Sequence, residues 1–191
     1  MGKPKDPEVN PSFSNNFSNS IVKTEKFILA ITGPTGAGKS TVSDKLAKLI
    51  RQCVNIDADH VKHFIVNGFA YDKTPEGTKQ WELLGENAGL LARNFLEAEY
   101  NVIINGYINE PAWNRIQKHV TLTHKIVLLP RVATVIKRDS SRNEELKMGN
   151  AAVSEHHTYF SSSSFYNDFE RIDSTNLTVE ETVNKLLAIL H

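Results

Sequence analysis

The chain has 191 residues, enough for one domain of ordinary size, and 40% of them are hydrophobic. Lys plus Arg (22) equals Asp plus Glu (22), so the formal charge is zero. That balance argues against a protein held to polynucleotides by non-specific phosphate contacts, so a nucleic-acid partner is not expected. The single cysteine, Cys53, excludes an internal disulfide and fits a reducing, cytoplasmic setting.

In chain order, residues 1–23 come first, rich in Asn, Ser and Pro, as in Asn10-Pro11-Ser12-Phe13-Ser14-Asn15-Asn16. Too little apolar area is available there to offset the entropy of ordering, so a flexible tail is expected, with residues 24–191 as one domain. Neither a signal-peptide stretch nor an apolar run of membrane-helix length is present.

Phe27-Ile28-Leu29-Ala30-Ile31 is a continuous apolar run, the signature of a strand buried on both faces. A helix should follow, with Val42, Leu46, Leu49 and Ile50 on one side. Val54-Asn55-Ile56 reads as a second strand, with a short helix near His60. Thr74-Pro75-Glu76 opens a long helix, Thr74 as N-cap and Pro75 at N1, whose apolar face holds Trp81, Leu84, Ala88, Leu91, Ala92 and Phe95. Strands are expected at Val102-Ile103-Ile104, Ile126-Val127-Leu128-Leu129 and Phe169-Glu170-Arg171-Ile172. A final helix begins at a capping box from Thr178 to Glu181. This order predicts a three-layer α/β fold with a central parallel sheet.

Gly33-Pro34-Thr35-Gly36-Ala37-Gly38-Lys39-Ser40 matches G-x-x-x-x-G-K-[ST] in full, between a strand and an amphipathic helix. The pattern predicts backbone N–H groups turned inward around a β-phosphate, at the positive end of the helix that Ser40 and Thr41 begin. Lys39 then reaches the β- and γ-phosphates, and the Ser40 hydroxyl is placed for Mg²⁺. A GTPase would add D-x-x-G and [NT]-K-x-D, and neither occurs. A motor ATPase would end a strand in Asp-Glu, where this chain has Ile104-Asn105-Gly106. A phosphotransferase using ATP is the expectation that remains.

Asp57-Ala58-Asp59 follows the second strand, at the strand ends where ligands of such sheets gather. At i, i+2 in extended chain both carboxylates would aim to one side, one holding metal-bound water and the other taking the proton of an attacking hydroxyl. The plainer role is to cap the helix near His60. Arg138 and Arg142 are spaced to share a helical face. They sit beside a polar, Ser-rich segment, 139–162, with the composition of a mobile cover. Asp139 and Glu145 are alternative local partners for the pair, and Lys137 is a weaker candidate.

The loop, the D-x-D after the second strand and the downstream arginines resemble the P-loop small-molecule kinases, the shikimate kinase and gluconate kinase group. Chloramphenicol phosphotransferase and polynucleotide 5′-hydroxyl kinase are similar in the same places. The resemblance spans roughly residues 26–190. It implies an ATP- and Mg²⁺-dependent kinase in which Asp59 engages the acceptor hydroxyl and Asp57 lies nearer Mg²⁺. Residues 139–162 would be the lid, with Arg138 against adenine or the phosphates and Arg142 near the transferred group. Adenine would sit near Asp173-Ser174-Thr175. Many relatives carry Asp where this chain has Asn105, which argues against direct metal ligation there.

The expected acceptor is a small molecule with a hydroxyl group. Phe69, Tyr71 and Tyr107 are candidate walls for it, and the protein should be a monomer or weak homodimer. Two other readings compete: a 5′-hydroxyl kinase of polynucleotides or nucleotide sugars, and a nucleotide-binding regulator with little chemistry. The seven histidines show no zinc spacing, and Trp81 and Trp113 read as core or crevice wall.

Overall fold

The computed structural model describes residues 24–70 and 74–191. The expected N-terminal tail, with Phe13 and Phe17, lies outside the described residues, as does Tyr71.

Five strands form one sheet in the order β2-β3-β1-β4-β5, all parallel. They are β1 (Ile28–Thr32), β2 (Cys53–Asp57), β3 (Asn101–Asn105), β4 (His124–Leu128) and β5 (Glu170–Ile172). All five coincide with the strands expected, to within one or two residues. The helices are α1 (Lys39–Leu49), α2 (Ala58–Lys62), α3 (Pro75–Glu97), α4 (Glu110–Ile116), α5 (Val132–Ser140), α6 (Asn150–Ser162) and α7 (Val179–Ile189). This is the three-layer P-loop α/β fold.

Alternation along β1 divides the core. Ile28 and Ala30 face one cluster with Leu84, Ala88 and Ala92 of α3 and Trp113 and Ile116 of α4. Leu29 and Ile31 face the other, with Val42 and Leu46 of α1 and Val183 and Leu186 of α7. The helix ends follow the sequence rules. Thr74 accepts from Gly77 N, and Thr178 and Glu181 complete a reciprocal capping box. Helices α3 and α4 meet so closely that a Cβ on Gly85 would stand 2.0 Å from the Ala112 carbonyl oxygen. Among the described residues no helix is long and apolar enough to cross a membrane.

Two features of the fold go beyond the sequence reading. The segment 139–162, expected as a polar cover, contains regular structure. It holds the end of α5, a single 3-10 turn at Glu144–Leu146, and the 13-residue helix α6, anchored by buried Val153 and Phe160. Two apolar residues among Ser, Thr and His make too weak a periodic signal to announce that helix. Helix α4 was also not expected; Asn109 caps it through Ala112 N, and Pro111 stands in its first turn.

Candidate active site

The chain leaves β1 at Thr32 and turns through Gly33-Ser40 into α1, where the strand order reverses and the carboxyl ends of β1 and β3 open a crevice. Gly33 (φ +144°) and Gly36 (φ +82°) both sit in backbone regions that side chains resist. A Cβ at either would strike backbone, the Leu128 carbonyl oxygen at 2.2 Å and the Val135 carbonyl oxygen at 2.6 Å. The loop is therefore packed against β4 and α5 as well as strung between β1 and α1. Lys39 is buried, and its Nζ donates to the Pro34 carbonyl at 3.1 Å across its own loop. Ser40 and Thr41 are exposed at the start of α1.

Burial pushes the Lys39 ammonium below its ordinary pKa. Asp59 and Asp57 oppose that shift, and Arg142 adds to it. One ammonium thus feels Asp59, Arg142 and Asp57 together, which sets all four groups near the mouth of the phosphate loop.

The carboxylates do not share a side by strand alternation. Asp57 ends β2 and is the N-cap of α2, accepting from His60 N at 3.1 Å. Asp59 already lies in the first turn of α2, so the extended-chain spacing does not apply. Instead Asp59 Oδ1 accepts from the backbone N–H of Tyr107 at 2.9 Å. Gly106 makes that contact feasible, because at φ +147° a Cβ there would come within 3.3 Å of Asp59 Oδ1 and 3.0 Å of Ala58 Cβ. The capping role falls to Asp57, while Asp59 is held by the end of β3.

Asn105, at the end of β3, is fully buried; its amide donates to Asn55 Oδ1 at 2.9 Å and the Ile56 carbonyl at 3.4 Å. Its Oδ1 has no partner. A buried oxygen without a donor is uncommon, and the residue that carries it is the register partner of Asp57.

The arginines part company. Arg138 is on α5 and bridges two loops, donating to the Ala37 carbonyl (3.3 Å) and the Ser174 carbonyl (3.1 Å). Arg142 lies past the end of α5, so the pair does not share a helical face. It lies 3.7 Å from Asp139 and donates to the Leu146 carbonyl at 3.5 Å. Asp139, weighed from the sequence only as a local partner, is buried and accepts from Met148 N and Gly149 N, 3.1 and 3.0 Å from Oδ2. It thereby closes the loop between α5 and α6. Arg138 and Arg142 line a cleft of about 280 Å³ together with Gly36, Ala37, Gly38 and Thr41 of the phosphate-loop region and Ser174, Leu177 and Thr178. A second depression, about 340 Å³, is formed by α3 and α4 and contains none of these residues.

On the other side of Asp59 stands an aromatic wall. Tyr107 lies 5.5 Å from Trp81 and 4.7 Å from His156 between ring centroids. The Lys62 ammonium is buried between two rings, 4.2 Å from the Trp81 centroid and 4.1 Å from that of Phe69. Trp113 instead packs in the core against Phe169, and Arg93 pairs with Glu97 on the α3 surface. Burial raises the Cys53 thiol to about 12, which makes it a poor nucleophile at neutral pH. Lys62 and His156 were missed because neither belongs to a contiguous pattern; a cation three residues after Asp59 was the only hint.

The sequence pattern of the Zeta toxin family matches residues 18–175. No curated protein matches the chain in sequence. Solved structures do. A shikimate kinase from Acinetobacter baumannii, in complex with shikimate, superposes with a TM-score of 0.59 at 16% identity, covering 87% of this chain and 93% of its own. A sugar kinase from Janibacter sp. gives 0.66 at 12% identity, covering 85% and 93%. The tunicamycin resistance protein of Deinococcus radiodurans gives 0.63 at 17% identity, covering 86% and 95%. At these identities the likeness is one of fold.

Proposed function

The chain belongs to the Zeta toxin family, within the P-loop small-molecule kinases, and on that premise we propose that it transfers the γ-phosphoryl group of ATP to a hydroxyl of a small acceptor. The observation that carries this reading is the position of Asp59, held by the Tyr107 N–H and within electrostatic reach of buried Lys39. Nucleotide binding alone does not require a carboxylate fixed there, whereas an acceptor hydroxyl does gain from one.

In this reading the loop N–H groups and Lys39 hold the β- and γ-phosphates. Arg138, between Ala37 and Ser174, forms one side of the nucleotide cleft. Asp59 orients the acceptor hydroxyl and receives its proton. The acceptor oxygen bonds to the γ-phosphorus, the bond from that phosphorus to its bridging oxygen breaks, and the electron pair leaves with ADP. Arg142 stabilises the charge that spreads over the equatorial oxygens.

The donors suit Mg²⁺. They are all oxygen: the exposed Ser40 hydroxyl, the Asp57 carboxylate and the unpartnered Asn105 Oδ1. No set of three or more Asp, Glu, His or Cys side chains able to hold a metal occurs among the described residues. An ion at this site would be held through one or two protein oxygens, phosphates and water. Bound there, Mg²⁺ would neutralise phosphate charge, with Ser40 as direct ligand and Asp57 and Asn105 acting through water. The aromatic wall of Trp81 and Tyr107 would carry the acceptor's apolar face, in a cytoplasmic monomer or weak homodimer.

The test is transfer from γ-labelled ATP to a library of hydroxyl-bearing metabolites, with nucleotide affinity measured in parallel. The expected result is a labelled phosphomonoester from at least one acceptor. Tight ATP binding with no labelled product across sugars, nucleotide sugars, hydroxy acids and oligonucleotides would leave a nucleotide-binding regulator as the reading.

A further inference from the structure

Helix α6 carries a polar stripe where an apolar one is expected. Val153 and Phe160 are buried and lie on one side of the helix. The positions between them on that side are His156 and His157, so two imidazoles are turned toward the sheet. Each finds a partner on a different strand end. His157 Nε2 lies 3.0 Å from the Pro130 carbonyl oxygen, after β4. His156 Nδ1 lies 3.0 Å from Thr35 Oγ1, in the phosphate loop after β1.

His156 also faces the acceptor side. Its ring lies 4.7 Å from that of Tyr107, and the Tyr107 N–H is the donor that holds Asp59. The path from the phosphate loop to the acceptor carboxylate is therefore three contacts long: Thr35 hydroxyl to His156 imidazole, imidazole to Tyr107 ring, Tyr107 backbone to Asp59. Thr35 contributes only backbone to the phosphate cradle of the motif, which leaves its side chain free for this tie.

We propose that His156 is a positioning residue of the transfer centre, setting the distance between the phosphate loop and Asp59. The proposal rests on the kinase reading for its function but not for its geometry. Burial and the Lys39 charge both favour the neutral ring, and the carboxylates of Glu155, Asp59 and Asp139 only partly oppose them. Its folded-state pKa lies below the unfolded value, so the unfolded chain binds the extra proton, and stability is lost as pH falls below the ordinary range of histidine.

Two measurements on the full chain test this. The first follows the His156 ring nitrogens by NMR through a pH titration, free, with Mg-ADP, and with Mg and a β,γ-imido ATP analogue. His156 should titrate below the ordinary range of histidine and shift upward more with the triphosphate analogue than with ADP. An identical response to the two nucleotides overturns the proposal, whatever the enzyme's activity. The second is a double-mutant cycle of Thr35→Val and His156→Leu on phosphoryl transfer, or on ATP hydrolysis if water is the only acceptor found. Each single variant should lower kcat about tenfold with the KM for ATP little changed, and the double variant should be no worse than either. His156→Asn, which keeps an amide near the position of Nδ1, should recover most of the loss. Additive losses, or parental turnover in a folded His156→Leu variant, overturn the proposal; if His156→Leu does not fold, Thr35→Val against His156→Asn decides. A γ-phosphate-dependent NMR shift in a chain that transfers phosphate to nothing would instead retire the kinase reading and leave His156 where it is.

Discussion

The two sides of the crevice are built by different means. The proposed nucleotide side is one contiguous stretch, β1, loop and α1, whose working atoms would be mostly backbone N–H groups. It is braced from behind by the Leu128 and Val135 carbonyls, with no room for a Cβ. The proposed acceptor side is assembled from side chains of four separate segments: Asp59 and Lys62 of α2, Trp81 of α3, Tyr107 after β3 and His156 of α6. A backbone cradle serves any nucleoside triphosphate and tolerates drift elsewhere in the chain. A wall of side chains can be re-cut one residue at a time.

The largest effect should come from the nucleotide side. Lys39→Ala should reduce phosphoryl transfer by about 10³-fold or more, with the melting temperature little changed. Near-normal turnover in that variant would break the assignment of the phosphate loop. Asp59→Asn tests the acceptor side with almost no change of shape. The amide can still accept from Tyr107 N, but it takes no proton, so turnover should fall about 10²-fold or more while ATP affinity holds. An Asp59→Asn enzyme as fast as the parent would make Asp59 a structural residue only.

The arginines sharpen the contrast between binding and transfer. Arg142→Ala should lower kcat roughly 10–100-fold with modest change in nucleotide dissociation, since its charge acts once the transition state forms. Arg138→Ala should chiefly weaken nucleotide binding, by about tenfold, because it spans the cleft between Ala37 and Ser174. Equal dissociation constants and rates in both variants would remove the lid from the mechanism. Trp81→Ala should raise the acceptor KM severalfold with the KM for ATP unchanged, and steady-state kinetics with the first identified acceptor will show whether it does. Asp57→Asn should be the mildest change: Asn still caps α2, and its deficit should shrink as Mg²⁺ is raised. A deficit independent of Mg²⁺ would take Asp57 out of the metal's surroundings.

Legibility in the sequence followed the same boundary. The five strands, the phosphate loop and the helix caps at Thr74 and Thr178 could be read directly, because each is a local pattern whose physics acts within a few residues: apolar runs, positive-φ glycines, side-chain oxygens near free N–H groups. The D-x-D was visible too, but not its geometry. The cap at Asp57 is local, but what holds Asp59 is the Tyr107 N–H beside Gly106, nearly fifty residues away. Helix α6 went unseen because only Val153 and Phe160 mark its inward side. With it went His156, whose role exists only where the fold brings residue 35 to residue 156. Local hydrogen bonding and alternation determined the scaffold and the nucleotide side. Only packing across the sheet decided the acceptor side, because side chains that meet from four elements have no spacing in sequence to betray them.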